Sequence, residues 1–122
     1  METETTVVCS AVVVDDNADN ADLLAAVLQL RGLRVFVAYS AQDAIRLAET
    51  HQPTAVISDI EMPEMDGLVE AALLRSLYGD KICLIAVSGA PHLRERARAA
   101  GYDHYLIKPV DPAVLEELVR SA

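Results

Sequence analysis

The chain has 122 residues, of which 52% are hydrophobic and 24% charged, and its formal net charge is -9. A chain of this length and apolar content can bury the core of one domain, which excludes a disordered protein. The acidic balance argues against nucleic acid as a direct partner, because contact with phosphates needs clustered Lys and Arg.

Membrane insertion and secretion are also not expected. No apolar run approaches the ~20 residues of a membrane span, and the first residues, METETT, contain no apolar stretch of the signal-peptide type. Cys9 and Cys83 lie within apolar runs, so we predict buried free thiols rather than a disulfide or a metal site. Together these features indicate a cytoplasmic protein.

Apolar runs and segments of helical spacing alternate along the chain. The first half predicts, in order, strand Val7–Val14, helix Ala21–Arg31, strand Arg34–Ala38, helix Ser40–Thr50 and strand Ala55–Ser58. After a polar loop over Asp59–Gly67 come helix Leu68–Leu77, strand Ile82–Val87, a helix from about Leu93 that Gly101 ends, strand His104–Ile107 and a helix that Asp111 caps.

Five strand–helix units with short connections predict an α/β fold. The sheet should be parallel and doubly wound, with helices on both of its faces, because each strand is followed by a helical crossover. We interpret residues 1–122 as a single domain and expect no separate output module within them.

A polar residue follows nearly every predicted strand. Asp15 and Asp16 end the first, Asp59 the third, Ser88 the fourth and Lys108 the fifth. Because ligands of open α/β sheets bind outside the carboxyl ends of the strands, we expect these side chains to meet at one edge.

This set of residue types has a specific chemistry. Clustered carboxylates repel one another unless a cation is present, and oxygen ligands of this kind suit Mg²⁺ or Mn²⁺. A carboxylate can also act as a nucleophile that carries phosphate covalently, while a lysine and a hydroxyl bind the phosphoryl oxygens. The set therefore predicts phosphoryl transfer to an aspartate with the help of a divalent metal.

The chain resembles the receiver domain of two-component response regulators over about Val7–Arg120. Four motifs in this order carry the resemblance, namely Val13–Asn17, Ile57–Gly67, Ala86–Ala90 and Tyr105–Pro109. The resemblance implies a flavodoxin-like (βα)5 fold with strand order 2-1-3-4-5. It also implies a cis peptide bond between Lys108 and Pro109.

The resemblance assigns a role to each site residue. Asp59 matches the phosphorylated aspartate and Lys108 the lysine that contacts the phosphoryl group. Ser88 matches the switch hydroxyl, which is more often a threonine, and Tyr105 the aromatic ring that turns inward when that hydroxyl moves. The metal ligands implied are Asp15 (largely through water), Asp16, Asp59 and the backbone carbonyl of Glu61.

By the same resemblance, the chain is not an enzyme in the ordinary sense, because it would catalyse only its own phosphorylation and dephosphorylation. The phosphoryl donor would be a sensor histidine kinase or a histidine phosphotransfer protein. Phosphorylation would switch the surface of the fourth helix, fifth strand and fifth helix toward an unidentified downstream protein, and a phosphorylation-linked dimer is a further candidate complex. The acidic Glu61 is expected to tune the lifetime of the phosphoryl group.

Other classes of protein share parts of this chemistry. Phosphatases of the haloacid-dehalogenase type use Asp, Mg²⁺ and Lys, but their nucleophile ends the first strand in an Asp-x-Asp pattern, whereas Asp15 and Asp16 are adjacent. A receiver that had lost its chemistry would lack an acid, the hydroxyl or the lysine, and none is missing. A flavin-binding protein would need a Ser/Thr/Gly phosphate loop where this chain has Asp15-Asp16-Asn17.

Overall fold

Short runs of valine, isoleucine and alanine form the strands, as their β-branched and compact side chains favour. The structure, a computed structural model, describes residues 9–61 and 67–122. Its strands are β1 (Ser10–Val14), β2 (Arg34–Ala38), β3 (Ala55–Asp59), β4 (Cys83–Ser88) and β5 (His104–Ile107). The strands pair in parallel in the order β2-β1-β3-β4-β5, which confirms the predicted topology.

The helices follow the strands in alternation. They are α1 (Ala18–Leu30), α2 (Ala41–His51), α3 (Gly67–Tyr78), α4 (Arg94–Ala100) and α5 (Pro112–Arg120). Short 3-10 turns at Gly79–Lys81 and Pro91–Leu93 precede β4 and α4. In the described residues no helix is long and apolar enough to cross a bilayer.

Capping residues explain where the helices begin and end. Ser40 and Asp111 cap α2 and α5 as predicted, each with its side-chain oxygen accepting a backbone N–H of the first turn. The prediction for α1 was wrong at its start, because the side chain of Asn17 accepts the Asn20 N–H and begins the helix three residues earlier. Gly101 ends α4 with φ of 120°, which a glycine adopts without steric cost.

The sheet has a hydrophobic layer on each face because side chains alternate along every strand. Every residue of β1 is buried, as expected of a strand covered on both sides. One layer lies between the sheet and α1 and α5, and includes Leu28, Ile57 and Leu115. The other lies under α2, α3 and α4, and includes Val56, Leu74 and Ala97.

The two cysteines are free thiols, as predicted, but both are half-buried rather than buried. Cys9 precedes β1 and Cys83 is the first residue of β4, so both lie at the amino ends of inner strands of the sheet. Partial burial still raises the pKa of the Cys83 thiol to about 11. Residues 7 and 8 of the predicted first strand, and the part of the loop motif at 62–66, lie outside the described residues.

Candidate phosphorylation site

Asp59 and Lys108 form an ion pair at the carboxyl edge of the sheet. Asp59 is the last residue of β3, and its Oδ2 accepts a hydrogen bond from Lys108 Nζ at 2.7 Å. Its Oδ1 accepts the backbone N–H of Glu61 at 2.9 Å. These two hydrogen bonds hold the Asp59 carboxylate in one orientation. Its side chain is 12% exposed, so the carboxylate remains open to solvent.

Lys108 owes its position to backbone contacts after β5. Its N–H donates to the carbonyl of Ser88 at 2.9 Å, and the peptide bond to Pro109 is cis, as the resemblance implied. Burial would lower the pKa of the ammonium. The hydrogen bond to Asp59, with the negative charges of Asp59, Asp15 and Glu61, outweighs burial and raises that pKa. Lys108 therefore stays charged beside the carboxylates.

Asp15 is a buried carboxylate beside this pair. It follows β1, and its Oδ1 accepts the N–H of Asn17 at 2.9 Å. Burial raises the pKa of Asp15, and the nearby charges of Asp59 and Asp16 raise it further, against the Asn17 N–H and Lys108. Asp16 is exposed at the surface of the same edge. The predicted acids thus share one electrostatic environment.

The residues at this edge have the chemistry of a magnesium site. The donors gathered here are carboxylate oxygens, which are ligands of the kind that Mg²⁺ takes, and the charges of Asp59 and Asp16 add to burial in raising the pKa of Asp15. Within residues 9–61 and 67–122, no three acidic, histidine or cysteine side chains already surround a metal position.

Ser88 and Tyr105 lie on the other side of the same edge and contact one loop residue. Ser88 Oγ accepts the N–H of Ala90 at 2.9 Å, and the Tyr105 hydroxyl donates to the Ala90 carbonyl. The Tyr105 ring is buried, with the Arg94 guanidinium 5.0 Å from its centroid. The hydroxyl and the ring are thus linked through the loop that follows β4.

The side chain of Glu61 makes a contact that the sequence did not reveal. Its Oε2 accepts the backbone N–H of Gly89 at 2.6 Å. This N–H, then the Ser88 hydroxyl, and the charges of Lys108 and His92 lower the pKa of the Glu61 carboxyl. The loops after β3 and β4 are therefore joined by a charged hydrogen bond.

A buried acid next to the site was also missed. Glu70 of α3 is 1% exposed, and neither its carboxyl oxygens nor the hydroxyl of buried Ser58 has a hydrogen-bond partner in the described structure. Burial raises the pKa of Glu70 to about 8, against a smaller lowering by the neighbouring Ser58 hydroxyl. A signal existed in the sequence, since Gly67, Glu70, Ala71 and Leu74 share one helix face and all are buried.

The sequence matches the family model described as the response regulator receiver domain over residues 11–120. An uncharacterized 14.6 kDa protein of Leptolyngbya boryana is 39% identical over 112 residues, which cover 89% of this chain and 86% of that protein. The transcriptional regulatory protein PrrA of Mycobacterium tuberculosis is 36% identical over 108 residues. That alignment covers 88% of this chain but only 45% of PrrA.

Solved structures share the fold as well. The response regulator protein TrrA from Thermotoga maritima, crystallised in complex with Mg(2+)-BeF, superposes with a TM-score of 0.81 at 29% sequence identity. The superposition covers 93% of this chain and 97% of TrrA. The fold of the chain, its family match and its solved structural neighbours all indicate the same family of proteins.

Proposed function

We propose that Asp59 is the phosphoacceptor of this chain, which belongs to the response regulator receiver domain family and is a phosphoacceptor domain of two-component signalling. The observation that carries the assignment is the 2.7 Å ion pair between Asp59 and Lys108, with Asp15 beside it. Asp59 is held by its two hydrogen bonds at the one place where an acid, a lysine and further carboxylates meet at the carboxyl edge of the described sheet.

The proposed reaction is a transfer of a phosphoryl group to a carboxylate oxygen of Asp59. An O–P bond forms at Asp59 as the P–N bond of a donor phosphohistidine breaks, and the leaving imidazole takes up a proton. Lys108 Nζ, already at Asp59, neutralises charge on the transferred group and orients the nucleophile.

Receiver domains bind Mg²⁺ at the phosphorylation site, and we propose that Asp15, Asp16, Asp59 and the Glu61 carbonyl hold it in this chain, with Mn²⁺ as a substitute. When bound, the ion supplies positive charge to the phosphoryl oxygens. Of these residues, Asp15 is already fixed by the Asn17 N–H, whereas exposed Asp16 is free to orient toward a cation.

We further propose that phosphorylation alters the surface formed by α4, β5 and α5. Ser88 and Tyr105 meet at Ala90, so a change at the hydroxyl would reach the ring and the Arg94 stacked on it. A sensor histidine kinase or phosphotransfer protein would donate the phosphoryl group in the cytoplasm. The altered surface would bind a downstream protein or a second copy of the chain.

The direct test is intact-mass spectrometry after incubation with acetyl phosphate and Mg²⁺. We expect a gain of roughly 80 Da, the mass of one phosphoryl group, which Asp59→Asn abolishes and a chelator lowers at least tenfold. Asp80→Asn is the matched control, because Asp80 is exposed in the turn before β4, at the opposite edge of the sheet. It should be labelled like the wild type. Full labelling of Asp59→Asn would refute the assignment, and an unlabelled wild type would indicate a receiver without chemistry.

A further inference from the structure

The Glu61 carboxylate already occupies hydrogen-bond donors next to the phosphoacceptor. It accepts the Gly89 N–H at 2.6 Å, and the Ser88 hydroxyl also lowers the pKa of its carboxyl. Ser88 is the last residue of β4 and Gly89 follows it, while Glu61 follows β3 by two residues. A negatively charged group beyond β3 is thus bound by the backbone N–H that follows β4.

The register of the sheet brings these donors to the phosphoacceptor. Asp59 pairs with Val87 across β3 and β4, so Ser88 and Gly89 are the first two residues beyond its partner. A phosphoryl group on Asp59 brings oxygens that need charge-assisted hydrogen bonds, and the Gly89 N–H lies two residues beyond the strand partner of Asp59. The negative charge of Glu61, like that of Asp59, raises the pKa of Lys108. A phosphoryl group and the Glu61 carboxylate would therefore compete for the same hydrogen-bond donor, the Gly89 N–H.

The loop that Glu61 holds is the one that positions the switch residues. Ala90 follows Gly89 directly, with its N–H bonded to Ser88 Oγ and its carbonyl to the hydroxyl of buried Tyr105. With the carboxylate in this position, the loop is fixed in the arrangement that has Tyr105 inward.

We propose that Glu61 is an internal anion that competes with the phosphoryl group for the Gly89 N–H. This inference rests on the proposed phosphorylation of Asp59 and adds a regulatory element to it. The carboxylate stands in for phosphate on the loop, and phosphorylation displaces it. The side chain of Glu61 is thereby a positioning group, distinct from its backbone carbonyl, which is proposed as a metal ligand.

The test measures the contact between Glu61 and Gly89 separately from the competition with the phosphoryl group. Amide hydrogen exchange of Gly89 is followed by NMR, and the affinity for beryllofluoride with Mg²⁺ is measured by titration. In Glu61→Ala we expect Gly89 to lose about tenfold in protection and beryllofluoride to bind about tenfold more tightly, the effect of one charge-assisted hydrogen bond. Glu61→Gln keeps an acceptor without the charge, so its effects should be intermediate.

Glu49→Gln provides the matched control, because it removes one exposed negative charge on α2. It should behave like the wild type in both measurements. Unchanged Gly89 protection in Glu61→Ala would overturn the contact, and changed protection with unchanged affinity would overturn the competition. If the wild type and all variants bind no beryllofluoride, the proposed function and the competition fail together, while the Gly89 measurement still reports on the contact.

Discussion

The two faces of the sheet bury different kinds of side chain. The layer toward α1 and α5 is apolar, with Leu28, Ile57 and Leu115 among its fully buried members. The layer toward α2, α3 and α4 also buries Ser58, Glu70 and Tyr105. The side toward α2, α3 and α4 therefore combines apolar packing with buried polar groups, whereas on the α1–α5 side the buried polar residue Asp15 lies at the carboxyl edge of the sheet.

The residues of the proposed phosphorylation site are also divided between the two sides of the sheet. Asp15, Asp59 and Lys108 line a crevice of about 540 Å³ together with apolar residues of the α1–α5 side, including Leu24 and Val110. Ser88 and Tyr105 lie toward α4 because residues along a strand alternate between faces. The proposed phosphoacceptor and the proposed switch residues therefore lie on opposite faces of the sheet, on either side of its carboxyl edge.

Of the substitutions that should distinguish the two faces of the sheet, Glu70→Gln should have the largest effect on stability. The pKa of Glu70 is about 8 in the folded chain against an ordinary value of 4.5, so folding takes up a proton between these pH values. The wild type should lose stability as the pH rises from about 4.5 to 8, with a cost on the order of 3 kcal/mol at pH 7. Glu70→Gln removes this titration, so it should equal the wild type near pH 4.5 and exceed it above.

Urea unfolding at a series of pH values measures this difference. Glu117→Gln on α5 is the control, since Glu117 is exposed and lies on the other side of the molecule. Its stability should track that of the wild type across the series. Parallel curves for Glu70→Gln and the wild type would mean that the α3 face tolerates a buried charge, and the contrast between the faces would be lost.

Arg75→Ala should have the next largest effect. The Arg75 guanidinium donates to the carbonyls of Gly79, Ile82 and Gly101 and to the Asp103 carboxylate, which itself accepts the N–H of Leu84. Removing it takes a hydrogen-bond donor from each of these acceptors where α3, α4 and β4 meet, and we expect a loss of about 2 kcal/mol in the free energy of unfolding. Denaturant titration measures the loss.

Arg75→Lys separates the charge of this residue from its geometry. A lysine keeps the charge but offers one ammonium to acceptors that the guanidinium reaches with three nitrogens. We expect it to recover less than half of the loss. A variant as stable as the wild type would show that a local positive charge, rather than the hydrogen-bond pattern, stabilises this junction.

Arg31→Ala should have the smallest effect, although it also breaks an ion pair between helices. Arg31 of the α1 cap bonds to Glu116, which is shared with Arg120 of α5. These side chains are exposed, so solvent screens the pair and we expect the melting temperature to fall by at most about 2 °C. A fall as large as that of Arg75→Ala would show that the α1–α5 face depends on its polar contacts too.

Much of the fold could be predicted because local signals agreed. The strands from residue 34 onward and the caps at Ser40 and Asp111 follow from apolar runs and capping residues, whereas the strand order was implied by the family resemblance. Asn17 was not recognised as a cap, because two acids beside it also fit that role in the sequence. The half-burial of Cys9 and Cys83 depends on how far the helices extend over the sheet, which no local pattern encodes.

The site could be predicted as a set of residues but not as a network. Strand ends place Asp59 and Lys108 at one edge, yet the 2.6 Å contact from Glu61 to Gly89 depends on the relative height of two loops. Helical spacing could have indicated that Glu70 faces the core. It could not show that the acid would meet an unpartnered Ser58 hydroxyl there.

The position of β5 at the edge of the sheet has a consequence for local stability. In the described chain it pairs with β4 alone and is four residues long. Its amides should exchange with solvent through small openings that leave the central strands intact. Tyr105 therefore lies on a segment that should rearrange for much less than the free energy of global unfolding, so the proposed aromatic switch would move while Asp59, on central strand β3, stays in place.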